Sequence, residues 1–435
     1  MGRRHRATTA AWTTATRAAT RAATAALAFA LAAGAAAPAR AQFWPELTDK
    51  QKKGRLRLGP FALTPRLELR NAGVDTNVFV TSTNPVEDTS IVLRGSSDVF
   101  LPLGRRFRVA GTGWLDFNYF ASESDQRSTD PGIQGRFEAD AWRLTFVAGG
   151  GAFNSRQLYS TDIDERVKRS EEWVNLGFRL RLTSQFRAEA GVEDHSYRWN
   201  PEPDQDQTVK DQLDRDSVVY KGALRYRLTP LTDLVASAEK IDDTFRVAPP
   251  GRAKTTSYRY LAGFEFGEKA FLTGRFVGGV RDIPEDASGS VVPYTGPAFQ
   301  AAISAPFLQR FRLNLSYDRD VYYSATGGVL TETIVRNTYT YGRLNGNLDI
   351  DAPLELVLRL TGGYENAHYL RPFPVPGEGL IDRNDQVYLA GASLLRRIGE
   401  NALIGITALH SWRESNYPGG TYNRWQYGLQ GYVNP

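Results

Sequence analysis

The chain has 435 residues, no cysteine and a formal net charge of +5. Six arginines and no acid fall within residues 1–41, so the remainder carries 47 basic against 48 acidic residues, which excludes a nucleic-acid-binding protein held by net charge. The absence of cysteine excludes disulfides, thiolate metal sites, a cysteine nucleophile and a lipid-modified N-terminal cysteine.

Residues 1–41 read as a secretory signal peptide. Arg3, Arg4 and Arg6 precede an uncharged run over residues 22–37, closed by the small-x-small site Ala39-Arg40-Ala41. Gln42 is the expected first mature residue. The Arg3-Arg4 pair lacks the residues that should follow it in a twin-arginine signal. Residues 42–60 are polar, mixed in charge and too short for a domain, and read as a disordered periplasmic lead-in or a short helix.

Beyond the signal, no apolar run approaches the roughly 18 residues of a spanning helix. An exported chain of this kind is either soluble outside the inner membrane or a β-barrel in an outer one. With 40 Gly, 20 Tyr, 22 Phe, 8 Trp and one Met, the composition favours the barrel.

From residue 61 onward the chain alternates with period two. Phe107, Val109, Gly111, Gly113, Leu115, Phe117 and Tyr119 alternate with Arg108, Ala110, Thr112, Trp114, Asp116 and Asn118, over twice the usual length of a globular strand. The same pattern returns around Val174, Tyr258, Phe311 and Leu354. Short turns fall near Gly104, Ala141, Ser184, Pro230, Glu268, Leu308, Pro353 and Gly399. Longer polar segments alternate with them, at 121–131, 154–170, 199–214, 247–256, 282–292, 323–332, 371–383 and 415–421. Short turns on one side and long loops on the other predict a closed antiparallel transmembrane β-barrel over residues 61–435, with about 18 strands and 16 as the next choice. A β-propeller shares the period near 40, but each period here holds two long strands rather than four short ones.

Aromatic residues open several strands after the short turns: Phe61, Phe107, Trp142, Phe186, Phe271 and Phe311. Tyr119, Phe120, Tyr197, Trp199, Tyr322, Tyr323, Tyr369 and Trp412 stand at the far ends. Two such bands predict the interfacial girdles of an outer-membrane barrel. The chain closes on Tyr432-Val433-Asn434-Pro435, so the final aromatic alternation is overhung by two residues.

The stretch Gly73-Val74-Asp75-Thr76-Asn77-Val78-Phe79, just after the first strand, resembles a motif of outer-membrane β-barrel porins grouped with exopolysaccharide or capsule assembly. The resemblance implies an outer-membrane barrel and a role in glycan export, and names no catalytic residue.

Strand parity predicts which side chains line the pore. Arg108, Asp116, Arg143, Arg179, Arg181, Arg187, Glu189, Arg225, Arg259, Arg275, Arg312, Asp318, Glu355 and Arg359 all fall on the polar face. An excess of arginine could favour anions. Arg–Glu pairing between neighbouring strands is the plainer expectation, and is preferred for most of them.

Enzymatic chemistry has little footing. His195, His368 and His410 stand near far strand ends beside aromatics, where girdle positions explain them. His195-Ser196 and His410-Ser411 are strand neighbours, so their side chains diverge. Acidic stretches at Asp162-Ile163-Asp164-Glu165 and Asp204-Gln205-Asp206 match no full calcium loop, and no cofactor is expected. Gly149-Gly150-Gly151 lies in or near a strand rather than in a phosphate loop. The sequence thus predicts a porin-like channel of the cell outer membrane for passive passage of small solutes or export of polysaccharide. The alternative is a non-conducting barrel whose external loops bind a ligand. Expected partners are outer-membrane lipid, lipopolysaccharide, the barrel insertion machinery and polysaccharide-export components.

Overall fold

Eighteen strands of 11 to 16 residues account for nearly all the regular structure. They are β1 (Phe61–Asp75), β2 (Asp88–Leu103), β3 (Phe107–Phe120), β4 (Ser128–Ala141), β5 (Leu144–Arg156), β6 (Lys168–Arg181), β7 (Phe186–Asn200), β8 (Arg215–Thr229) and β9 (Thr232–Phe245). The series continues with β10 (Lys254–Phe266), β11 (Thr273–Ile283), β12 (Tyr294–Phe307), β13 (Phe311–Tyr323), β14 (Thr338–Ala352), β15 (Leu356–Tyr369), β16 (Asn384–Ile398), β17 (Ala402–Ser415) and β18 (Tyr422–Val433). The structure is a computed structural model and describes residues 52–156, 166–203, 205–246, 254–285, 291–325, 337–375, 377 and 379–434. The signal segment and most of the lead-in lie outside the described residues. The described end of the lead-in forms a three-residue strand, Leu56–Leu58, that folds back on Phe61–Leu63.

Each strand pairs antiparallel with its chain neighbour, and β18 pairs with β1 from Leu67↔Val433 to Asp75↔Gln426, closing the sheet. The order is consecutive, as an up-and-down barrel requires. No helix among the described residues is long and apolar enough to span a membrane, so the strands do the crossing. The expected short turns all appear, some as short as Trp142-Arg143 between β4 and β5. Gly104 and Gly399 adopt left-handed backbone there, at φ +72° and +60°. Trp142, Leu308 and Leu354 adopt it as bulky residues, an uncommon and costly conformation.

The outward face is apolar. Leu115, Ile133, Val174, Leu176, Leu224 and Ile406 are all exposed, although a soluble core would bury them. Near the short turns, outward aromatics pair across strands: Phe107 with Phe137 at 6.0 Å, Phe186 with Tyr226 at 4.8 Å and Phe307 with Phe311 at 5.1 Å between ring centroids. Near the long loops, Tyr364, Tyr388, Trp412, His410, Trp425 and Tyr427 stack in one outward band with steps of 4.2–5.7 Å. A closed sheet with an apolar belt between two aromatic bands is an outer-membrane β-barrel.

The membership of the loop-end band differs from expectation. Phe120, Tyr197, Trp199 and Tyr369 are buried, not lipid-facing. On β7 the odd positions from Arg187 to Trp199 all face inward, and Tyr197 and Trp199 simply continue that row above the membrane core. His195 shares it, and so is an inward residue. The Gly73–Phe79 stretch also differs, because β1 runs on through Asp75 after a register shift between Leu69 and Asn71. Asp75 accepts a two-pronged ion pair from Arg424 of β18, and Gln426 donates to it at 3.0 Å. Asn77 then caps the loop: its side chain accepts from the Thr81 amide at 3.0 Å and donates to the Thr81 carbonyl at 2.8 Å. The motif is the clasp at which the barrel closes.

Candidate functional site: the inner face

Alternation delivers every second side chain of each strand to the interior, where charge must be paired. On β3 to β6, Glu138 accepts from Arg108 at 2.9 Å, from Arg136 at 3.2 Å and from Arg179 at 2.9 Å. Asp116 pairs with Arg94, and Arg70 approaches it at 3.9 Å. Arg187 pairs with Asp233. Arg225 bridges Glu189, at 3.0 Å, and Glu265, which Arg275 approaches at 3.5 Å. Arg259 donates to Glu239 and, at 2.8 Å, to Asp320 three strands away. Arg359 grips Asp349 at 2.6 Å. Asp318 accepts from the Tyr322 hydroxyl at 2.8 Å. Arg312 is exposed at the short-turn end of β13 and makes no ion pair among the described residues.

Three of the residues expected in the wall stand at its short-turn rim. Arg143 lies in the turn after β4, stacked 4.8 Å over Trp142 and donating to the Leu182 carbonyl at 3.1 Å. Arg181 ends β6 and donates to the Trp142 carbonyl at 3.1 Å. Glu355 sits in left-handed conformation, φ +61°, in the turn before β15. Alternation read from Leu354 carried the strand two residues too far into that turn. The sequence reading also passed over Asp233, Asp320 and Asp349, because strand ends with few apolar residues give the period little to show.

The two sides of the interior differ. From β9 to β12 it is filled: Val235, Leu261, Val277, Ala298, Arg259 and Arg275 are all buried. From β4 to β7 the inward positions include five glycines: Gly132, Gly149, Gly151, Gly177 and Gly191. Inward Gln134 on the same wall is exposed. The triple glycine thus belongs to a strand, with two members thinning the inner wall.

No family model and no curated protein matches the chain. Solved barrels do resemble it in fold. The siderophore receptor PirA from Acinetobacter baumannii aligns over 88% of this chain and 81% of its own, at 8% identity and a TM-score of 0.43. The alcaligin outer-membrane receptor FauA from Bordetella pertussis aligns over 87% of this chain and 66% of its own, at 12% identity and 0.41. OpdO from Pseudomonas aeruginosa aligns over 85% of this chain and 97% of its own, at 12% identity and 0.40.

The long-loop mouth is partly roofed. The helix α1 (Thr208–Leu213) packs Val209 and Leu213 on Tyr197 and Trp199, with Val167 and Ala325 from other loops. Asp214, just past the helix, accepts from the Trp199 amide at 2.6 Å, yet burial raises its carboxyl above the usual value. Arg166 lies 4.7 Å over the Phe120 ring, and burial brings its guanidinium down to about 10. The acidic stretch at 162–165 lies outside the described residues, as does Asp204. Among the described residues no cluster of acids and histidines could hold a metal ion.

Proposed function

We propose that the barrel is an outer-membrane channel for the passive passage of polar solutes, saccharides among them, along the glycine-rich wall of β4 to β7. The observation that carries this reading is the asymmetry of the interior. Side chains fill the β9–β12 side, whereas on β4 to β7 five inward glycines let the Trp114 and Trp173 rings lie low against the wall and leave inward Gln134 exposed. An 18-stranded barrel encloses more space than strand side chains alone occupy. The paired charges of the inner face leave little net field, so solutes are selected by size and hydrogen bonding more than by charge. The motif resemblance at Gly73–Phe79 supports a saccharide cargo.

The alternative is a non-conducting barrel whose loops bind a ligand, and the roof over the mouth favours it. Planar-bilayer recording of the purified barrel separates the two. Discrete conductance steps, reduced in Gly191→Phe, are expected. A silent barrel would defeat the channel reading.

A further inference from the structure

The inner wall carries a second regularity that charge pairing does not explain. Trp114 on β3, Phe153 on β5, Trp173 on β6 and His195, Tyr197 and Trp199 on β7 form an unbroken inward series. Successive ring centroids are 6.4, 6.2, 6.3, 5.7 and 6.3 Å apart. The series crosses the glycine wall and climbs β7 to the mouth. Two of the glycines shape it: a Cβ on Gly132 would come within 2.1 Å of the Trp114 ring, and one on Gly151 within 2.5 Å of Trp173. Both indoles therefore lie down on the sheet, and both remain partly exposed. Tyr197 and Trp199 are covered by α1, so the accessible stretch is Trp114, Phe153 and Trp173.

We infer that this series is a binding track for a neutral oligosaccharide, an inference that rests on the channel reading above and names its substrate class. A pyranose presents a face of C–H groups with slight positive charge, and the face of an aromatic ring is negative. The two indoles laid against the wall offer such faces to sugar units, with the Phe153 ring between them inclined 42° to Trp114 and 67° to Trp173. The hydroxyls at the sugar's rim need hydrogen-bond partners; the partly exposed Arg94 and the exposed inward Gln134 can supply them, backed by buried ion pairs that neutralise the wall. Arg94 stands 5.8 Å over Trp114 and pairs with Asp116. Arg169 stands 5.5 Å over Phe153 and pairs with Glu171. Lys221 holds Glu193 at 2.7 Å, beside His195. Each cation along the track has its own carboxylate, so no net charge remains to attract a polyanion or repel a neutral chain. This combination, apolar faces with balanced polar edges, fits an uncharged glycan better than an acidic one.

The test is a titration of the purified barrel in detergent micelles with maltohexaose, cellohexaose and a galacturonic-acid hexamer, followed by tryptophan fluorescence and calorimetry. At least one neutral hexamer should bind saturably and more tightly than the acidic one. Trp173→Ala should weaken that binding about tenfold, as loss of one stacking platform does. Trp173→Phe should stay within about threefold, because a ring face remains. Trp142→Ala, in an exposed turn at the opposite end, serves as a control and should leave affinity unchanged. If Trp173→Ala fails to assemble, Trp173→Leu replaces it, keeping bulk without the aromatic face. The inference falls if neither neutral hexamer binds, if the acidic hexamer binds best, or if removing the Trp173 ring changes nothing. Micelle binding requires no conduction, so this failure is distinct from a silent bilayer recording.

Discussion

Arg259 and Asp320 meet at 2.8 Å although two strands separate β10 from β13. Such contacts turn half of the interior into a packed polar core. Arg259 also satisfies Glu239 and is itself buried, so its loss strands the buried Glu239 carboxylate and leaves Asp320 with only Arg281, at 3.8 Å. Arg259→Leu should cost about 3–5 kcal/mol, the range for breaking one side of a buried ion pair. Asp320→Asn keeps an acceptor near Arg259 and should cost markedly less. Urea-driven unfolding in lipid vesicles measures both.

The lipid-facing assignment predicts a depth dependence. Leu176 is exposed on the outward face near the middle of β6, whereas Leu313 is only the third residue of β13 after a short turn. Leu176→Arg should cost about 2–4 kcal/mol and Leu313→Arg about 0–1 kcal/mol. Equal costs in the same vesicle assay would contradict the placement of the apolar belt.

Gly132 is predicted to tolerate no side chain. Gly132→Ala drives a methyl group into the Trp114 indole and should cost about 1–3 kcal/mol, with a shift in tryptophan emission as the ring is displaced. Gly113→Ala, one strand away, meets open space and should be neutral or slightly stabilising.

The roof over the mouth should respond to pH. The Asp214 carboxyl is raised by burial, so the folded state takes up its proton at a higher pH than the unfolded chain does. Its contribution is therefore most favourable at low pH and declines as pH rises through the window just above the usual carboxylate range. Amide exchange around α1 and Trp199, corrected for intrinsic rates, should show more protection at pH 4 than at pH 7. Asp214→Asn should flatten that difference.

Much of this architecture can be read from the residues. Lipid on one side and water or paired charge on the other impose a period that survives in sequence, as β3 and β6 illustrate. The turns are legible because few residue types tolerate their backbone. Inside, the sequence says which residues share a face but not which of them meet. That Glu138 collects three arginines, or that Arg259 reaches Asp320, depends on curvature and strand offset, which a linear pattern does not encode. The aromatic series was hidden for a further reason. Trp114 and Trp173 sit in the polar half of the alternation, where an aromatic reads as an exception until the glycines beneath it are seen.

The clasp between Asp75 and Arg424 joins residues 349 positions apart. Neither can find its partner until synthesis and export have delivered nearly the whole polypeptide. A chain truncated before β18 would leave the β1 edge open, with its hydrogen-bonding groups facing hydrocarbon. Closure of the cylinder therefore waits on the last strand, and the two most distant parts of the chain are the ones that seal it.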